Sequence, residues 1–284
     1  MSGKLACPAC ADINHTLIYS KDGFDVFRCG DCGSGFIDAS NFDPATYYTR
    51  EYFEGARGDG YADYGASGPV LRREFAHIAK RIEKHYPAGG MLLEVGCAYG
   101  YFLQVARERW NVHGLEISAD AVSKCHAAGL TLVRRGPASS ETLAAFPAVD
   151  VVVMLDVIEH LEDPASVLAA CFEKMAPGGV MYISTGDFGA WSARMMGRHW
   201  RLMTPPQHLS YFTEVGLTRM AAGVGARVEA IYRPWKTVPL SLIEFQLRRM
   251  LHLPNWPRLP SVASRLGIPV NLFDTMHVVM RKRC

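Results

Sequence analysis

Residues 91–102 read Met91-Leu-Leu-Glu-Val-Gly-Cys-Ala-Tyr-Gly-Tyr-Phe102. A short apolar run, Met91 to Val95, passes into a glycine turn bounded by Gly96 and Gly100, and a helical pattern follows over 101–109. Strand, tight turn and helix in that order are the opening unit of a wound α/β sheet. The alternation continues downstream. Further strands are expected at 112–117, 130–133, 149–155, 180–184, 226–232 and 275–280. Helices are expected at 118–128, from Asp163-Pro164 to just before Pro177-Gly-Gly, and at 213–224, with Ser118 and Asp163 as N-caps. The run at 149–155 is apolar throughout, as the centre of a parallel sheet requires. The pattern specifies an α/β class: a doubly wound, seven-stranded Rossmann-like sheet over 91–284.

Upstream the character changes. Cys7-Pro-Ala-Cys10 and Cys29-Gly-Asp-Cys32 are two C-x2-C pairs eighteen residues apart. Apolar stretches at 16–20 and 24–28 flank Lys21-Asp-Gly23 as a hairpin. Two matched pairs in a segment too short for its own core point to zinc held by Cys7, Cys10, Cys29 and Cys32. Four thiolates leave no open coordination position, so that zinc is structural. The ribbon, residues 1–40, carries only Lys4, Lys21 and Arg28 as basic residues. That favours a cap, an oligomer contact or small-substrate positioning over RNA docking.

Residues 41–90 form an aromatic, glycine-rich segment with Tyr47, Tyr48, Tyr52, Phe53, Tyr61 and Tyr64, then a lead-in helix at 71–85. Closure of these aromatics over a ligand and plain packing on the core both fit. A further insertion, at about 233–274, places Leu240, Ile243, Leu247, Leu251 and Leu253 on a helix beside Arg248-Arg249. Core packing, an acceptor pocket, a homodimer contact and contact with a membrane surface all fit that composition.

The chain has 284 residues with 30 basic against 28 acidic, so it lacks the broad positive field of a nucleic-acid binder. No apolar run reaches 18 residues, which excludes a transmembrane helix. The first residues carry no apolar signal segment, and a cytoplasmic address is the expectation.

Ligands of wound sheets sit beyond the carboxyl ends of the strands. Three acidic residues fall there: Glu94, Glu116 twenty-two positions later, and Asp156 in Asp156-Val-Ile-Glu-His160. Glu116 suits a carboxylate accepting from two ribose hydroxyls. The turn has G-x-x-x-G rather than G-x-G-x-x-G, and its acidic neighbours would repel a pyrophosphate. They suit S-adenosylmethionine, which carries a sulfonium and an ammonium and no phosphate.

Residues 92–102, Asp156-Val-Ile-Glu-His, Pro177-Gly-Gly and Pro205-Pro-Gln-His-Leu-Ser-Tyr-Phe-Thr213 together resemble the class I S-adenosylmethionine-dependent methyltransferases. The branch resembled is that of small-molecule enzymes in ubiquinone, sugar and natural-product biosynthesis, over residues 47–232 and the last strand. The resemblance implies that the last strand runs antiparallel. It implies that Glu94, Gly96, Cys97 and Gly100 line the methionine side, that Glu116 and Ile117 hold ribose and adenine, and that Asp156 lies below the sulfonium. Ala98 departs from the usual middle glycine, which implies a slightly wider turn, and Gly136-Pro137 departs from the usual adenine-binding Asp.

A hydroxyl acceptor must lose a proton as it attacks, and histidine suits that task. His208, on a loop stiffened by Pro205-Pro206, is the candidate base. His160 is the candidate that supports Asp156 or orients the acceptor, and a structural role competes for both. The leading expectation is methyl transfer to a small molecule, a sugar, polyol or natural-product intermediate, at oxygen, nitrogen or carbon. A zinc-ribbon ribosomal RNA methyltransferase and a cofactor-binding protein without catalysis are the alternatives.

Overall fold

A computed structural model describes residues 5–38, 64–250 and 259–283. The aromatic segment up to Tyr61 lies outside the described residues, as do Leu251, Leu253 and Cys284.

In the ribbon, β1 (His15–Lys21) and β2 (Phe24–Cys29) pair antiparallel around Asp22 and Gly23, both at positive φ, and β3 (Gly35–Ile37) joins β2. After α1 (Gly68–His85) the wound pattern begins: β4 (Gly90–Val95), α2 (Tyr101–Ala106), β5 (Trp110–Glu116), α3 (Ala119–Ala127), β6 (Val133–Arg135), α4 (Ser140–Ala144), β7 (Val149–Leu155) and α5 (Pro164–Lys174). It continues with β8 (Met175–Gly186), α6 (Trp191–Met196), β9 (Ser210–Tyr211), α7 (Glu214–Gly223) and β10 (Ala226–Tyr232). Then come β11 (Lys236–Pro239), α8 (Leu240–Met250), β12 (Gly267–Val270) and β13 (Thr275–Lys282).

The helix starts follow capping chemistry. Ser118 Oγ accepts from Ala121 N–H, Asp163 Oδ1 from Ser166 N–H, and Thr213 Oγ1 from Gly216 N–H at 3.0 Å. Two expected boundaries are corrected. The third strand forms at Val133–Arg135 rather than 130–133, because Leu130 N–H closes back on Cys125 O and completes the end of α3. Pro177-Gly-Gly lies inside β8 instead of ahead of it, where the β7–β8 register shifts between Val149 and Val151. Gly178 takes φ +74° there, and a Cβ on Gly179 would stand 2.8 Å from Asp150 O. The bulge is built from glycine out of necessity.

The principal sheet has seven strands in the order β10-β13-β8-β7-β4-β5-β6. β4, β5 and β6 pair in parallel, as do β7 and β8, while β13 runs antiparallel to both β8 and β10. The antiparallel last strand bears out the sequence expectation.

The chain divides into two compact units. One comprises Asp43–Pro137 and Trp235–Asn271. In it Phe75 of α1 packs edge-on against Phe102 of α2, and buried Glu74 accepts from Thr237 N–H at 2.7 Å. β11 and β12 pair, and a Cβ on Gly267 would meet Val70 of α1 at 2.9 Å. The described part of the insertion is therefore fastened to α1 as packing.

The other unit comprises Met1–Phe42, Ala138–Pro234 and Leu272–Cys284. Its ribbon strand β3 pairs with β9, making a four-stranded sheet β1-β2-β3-β9. Val26 and Ile37 of the ribbon share a buried cluster with Phe188, Trp200, Met203, Leu209 and Tyr211. Thr213 Oγ1 donates to Cys32 O at 2.7 Å, Lys21 Nζ donates to Met203 O, and Arg219 pairs with Asp31.

Candidate active site

In the unit holding β4 and β5, the turn after β4 is shaped by Gly96, Ala98 and Gly100 at φ +75°, +46° and +70°. Gly100 admits no side chain, since its Cβ would lie 2.4 Å from Leu130 Cδ1. Ala98 adopts the left-handed conformation a glycine would take there, so the turn keeps its shape at the cost of local strain. Glu116, at the end of β5, accepts from Ala98 N–H and from Ser118 N–H, each at 2.8 Å. The carboxylate thus ties the turn to α3 while retaining lone pairs for a ligand. Burial raises its pKa despite these bonds. Ile117 beside it is half-buried, and its carbonyl accepts from Arg135 Nε at 3.4 Å.

Glu94 is 3% exposed, and its Oε2 is buried with no hydrogen-bond partner. Burial, then the charges of Cys125 and Glu116, push its pKa well above the ordinary value. A carboxyl in this state is costly to ionise without a partner. Cys97 is buried against Cys125, whose thiol donates to Ala98 O at 3.2 Å, and its own pKa is raised. It packs the turn and offers no thiolate. Tyr99 accepts from Lys124, which also pairs with Asp120, and Tyr64 stacks on Tyr101.

In the other unit, Asp156 follows β7 at φ +54°. Its N–H donates to Ser184 O and Ser184 Oγ at 3.0 Å, and Ser184 Oγ donates to its Oδ1 at 2.8 Å. A non-glycine residue held in that conformation by a neighbouring strand is a constrained position. Beyond it, buried Glu159 accepts from Thr185 Oγ1 at 2.9 Å, and its carbonyl accepts from Leu209 N–H at 2.8 Å. That bond draws the 204–209 loop onto the end of β7. His160 Nδ1 donates to Gln207 O at 2.6 Å, which leaves Nε2 as an acceptor. The rings of His160 and His208 meet edge to face, 4.7 Å between centroids.

Burial lowers the pKa of His160, and lowers that of His208 well below the ordinary value with help from the His160 charge. Both rings are neutral near pH 7. Glu159, His160 and His208 each offer a ligand-type atom, all within 4.8 Å of one another. Both sequence-chosen histidines, Asp156 and Glu159 are therefore brought together. Ser184 and Thr185, which hold Asp156 and Glu159, carry no motif of their own, and Gln207, which holds His160, lies in the Pro205-Pro-Gln-His motif, where the sequence points to His208 instead.

The four ribbon cysteines also converge, their sulfurs all within 4.8 Å. Cys7 and Cys32 are 3.6 Å apart and Cys10 and Cys29 3.5 Å. That is too long for a disulfide and close to the ~3.8 Å edge of a tetrahedron with ~2.3 Å zinc–sulfur bonds. Asp31 N–H and Cys32 N–H point at Cys29 Sγ at 3.4 and 3.5 Å, as second-layer donors to a thiolate do. The Cys7 contact lowers the Cys32 thiol to about 5 while raising that of Cys7.

Comparisons with known proteins agree with this architecture. The chain is 35% identical over 127 residues to the ubiquinone biosynthesis O-methyltransferase of Sodalis glossinidius, covering 42% of this chain and 51% of that protein. The corresponding Cronobacter sakazakii protein is also 35% identical, over 132 residues, with 42% and 54% covered. The chain thus spans about half the length of the curated relatives it matches. Among solved structures, a SAM-dependent methyltransferase from Archaeoglobus fulgidus aligns with TM-score 0.50 at 16% identity, covering 74% of this chain and 94% of that one. The YcgJ protein of Bacillus subtilis aligns with TM-score 0.52 at 13% identity, covering 75% and 99%. These structural likenesses confirm the fold. A family profile described as a methyltransferase domain matches residues 70–231, more than half of the chain. This protein belongs to the methyltransferase-domain family.

Proposed function

We propose that the protein transfers a methyl group from S-adenosylmethionine to a hydroxyl of a small-molecule acceptor. The observation that carries this reading is the buried, unpartnered Glu94 Oε2 at the glycine turn, an anion-in-waiting suited to the cofactor's ammonium. Glu116 supports it, with a carboxylate fixed by two backbone N–H groups and free to accept from ribose hydroxyls. Gly96, Cys97 and Gly100 would hold the methionine side and Ile117 would hold the adenine. The relatives named as ubiquinone biosynthesis O-methyltransferases support oxygen as the methylated atom. A polyol or sugar hydroxyl remains our reading of the acceptor alongside a phenolic one.

When bound, S-adenosylmethionine supplies an electrophilic methyl group. The chain supplies position and proton transfer. Asp156, locked by Ser184, presents a carboxylate whose charge suits the sulfonium. His208, neutral near pH 7, takes the acceptor's proton at a ring nitrogen, and His160, fixed by Gln207, holds its ring. Orientation of this kind is worth roughly 7–11 kcal/mol of barrier. The ribbon cysteines hold a structural zinc, with residues 1–40 as a module fastened to the transferase core. Among the described residues no helix is long and apolar enough to cross a membrane.

The test is methyl transfer from labelled S-adenosylmethionine to catechols and sugars, with calorimetry for cofactor binding. His208→Ala should lower turnover by about 10²–10⁴-fold while cofactor affinity holds. Wild-type-like turnover would remove His208 from the mechanism. Absence of cofactor binding by the intact chain would overturn the activity itself.

A further inference from the structure

β8 ends at Gly186, and the next residues, Asp187 and Phe188, line a cavity of about 470 Å³ that Cys32 of the ribbon and Thr213 also border. Three guanidiniums border it: Arg28 from β2 of the ribbon, Arg194 from α6, and Arg233 just after β10. Two carboxylates, Asp187 and Glu214, face them. Arg233 donates to Asp187 Oδ2 at 2.7 and 3.1 Å and to Glu214 Oε2 at 3.2 Å, so it and both carboxylates are committed to one another.

Arg28 and Arg194 are left over. Neither has an ion-pair partner among the described residues. The Arg28 guanidinium lies over the Phe188 ring, 4.9 Å from its centroid, and its Nε is buried with no acceptor. A cation stripped of part of its water and given no counter-charge is costly unless an anion completes it. The first turn of the ten-residue helix α7 also opens onto the cavity, adding amide N–H groups and the positive end of the helix dipole.

We propose that this cavity binds the phosphoryl group of a phosphorylated small molecule. Two unpaired guanidiniums from separate elements, on a cavity that Glu214 and Val215 of the first turn of α7 also line, match the several oxygens of a phosphoryl group. The cavity is also too large for a lone ion and of the size that takes small organic ligands. Its place in the fold gives the ligand a role. Asp187 comes three residues after Ser184, the residue that clamps Asp156, about 10 Å along the chain at strand rise. A phosphorylated acceptor anchored here would extend its other end toward Asp156, and the ribbon, through Arg28, would form part of acceptor recognition. Only this identification of the ligand as the acceptor rests on the methyl-transfer reading. The phosphoryl site itself does not.

The test uses the full chain at low ionic strength and two matched dianions, phenyl phosphate and phthalate, followed by calorimetry. Phenyl phosphate is expected to bind one per chain and more tightly than phthalate. Arg194→Gln and Arg28→Gln should each weaken it by about tenfold or more. Arg194 is exposed, so its substitution tests the site without disturbing the packing around Phe188. No binding, binding indifferent to both substitutions, or phthalate binding as tightly as phenyl phosphate would overturn the proposal. S-adenosylmethionine affinity is read on the same samples. Its absence alongside intact, Arg194-dependent phenyl phosphate binding would sink the methyl-transfer reading and leave the phosphoryl site standing.

Discussion

The hydroxyl of Thr213 donates to the carbonyl of Cys32 at 2.7 Å and accepts from the N–H of Gly216 at 3.0 Å. One side chain thus caps α7 and grips the second knuckle of the ribbon. Replacement by valine keeps the shape and removes both bonds. Thr213→Val should cost about 1–3 kcal/mol, more than a simple cap. It should also speed zinc loss to a chelator. Denaturant unfolding, with and without chelator, gives both quantities. Equal zinc release from variant and wild type would show that the knuckle does not depend on this tether.

On the proposed function, Glu94 should link cofactor affinity and stability with opposite signs. Its folded pKa is raised above the ordinary carboxyl value, so the folded state holds this proton more tightly than the unfolded chain does. Stability from this group is therefore lost as pH rises from about 4.5 toward the raised folded value. Glu94→Gln should be more stable than wild type at neutral pH and bind S-adenosylmethionine at least about tenfold more weakly. Wild-type affinity should rise with pH as the carboxyl ionises, and the variant's should stay flat. Thermal melts and calorimetry across pH decide it.

His208 acts the other way on stability. Its folded pKa lies well below that of an unfolded imidazole near 6.5, so protons favour the unfolded chain. This contribution is fully present above about pH 6.5 and is lost as pH falls toward the depressed folded value. His208→Gln should flatten that acid limb of the stability curve. The acid limb of turnover should likewise fall below pH 6.5, read from kcat against pH. A limb centred above that value would contradict a neutral, desolvated base.

Ala98 is a non-glycine residue at φ +46° in the turn. Ala98→Gly relieves the steric cost of that conformation and should stabilise by about 1 kcal/mol, with cofactor affinity held because Glu116 still accepts the residue-98 N–H. Gly100→Ala should do the reverse, since its new methyl meets Leu130 and Cys125. A loss of about 1–3 kcal/mol is expected, together with weaker cofactor binding. Chemical denaturation of the two variants against wild type measures both.

Local chemistry made much of the fold legible. Val149–Leu155 and Ala226–Tyr232 form as the sequence predicts, and Ser118 and Asp163 cap as expected because a cap is a contact across three residues. The cysteine spacing announced the ribbon cluster for the same reason. What escaped depends on distant partners. Ser184 meets Asp156 and Thr185 meets Glu159 only after the sheet assembles, and neither serine nor threonine at a strand end is distinctive. The short strand Ser210–Tyr211 exists only because β3 lies beside it. The Pro177-Gly-Gly motif read as a helix stop and proved to be a strand bulge, since the same glycines serve either geometry.

The β3–β9 pairing also orders the birth of the molecule. Synthesis delivers β3 well ahead of β9, so the strand that completes the ribbon's sheet emerges ~170 residues after it. Until then β3 presents an open edge of the kind that recruits foreign strands. On the proposed zinc reading, metal capture during translation would hold that edge in a defined shape while the rest of the chain catches up.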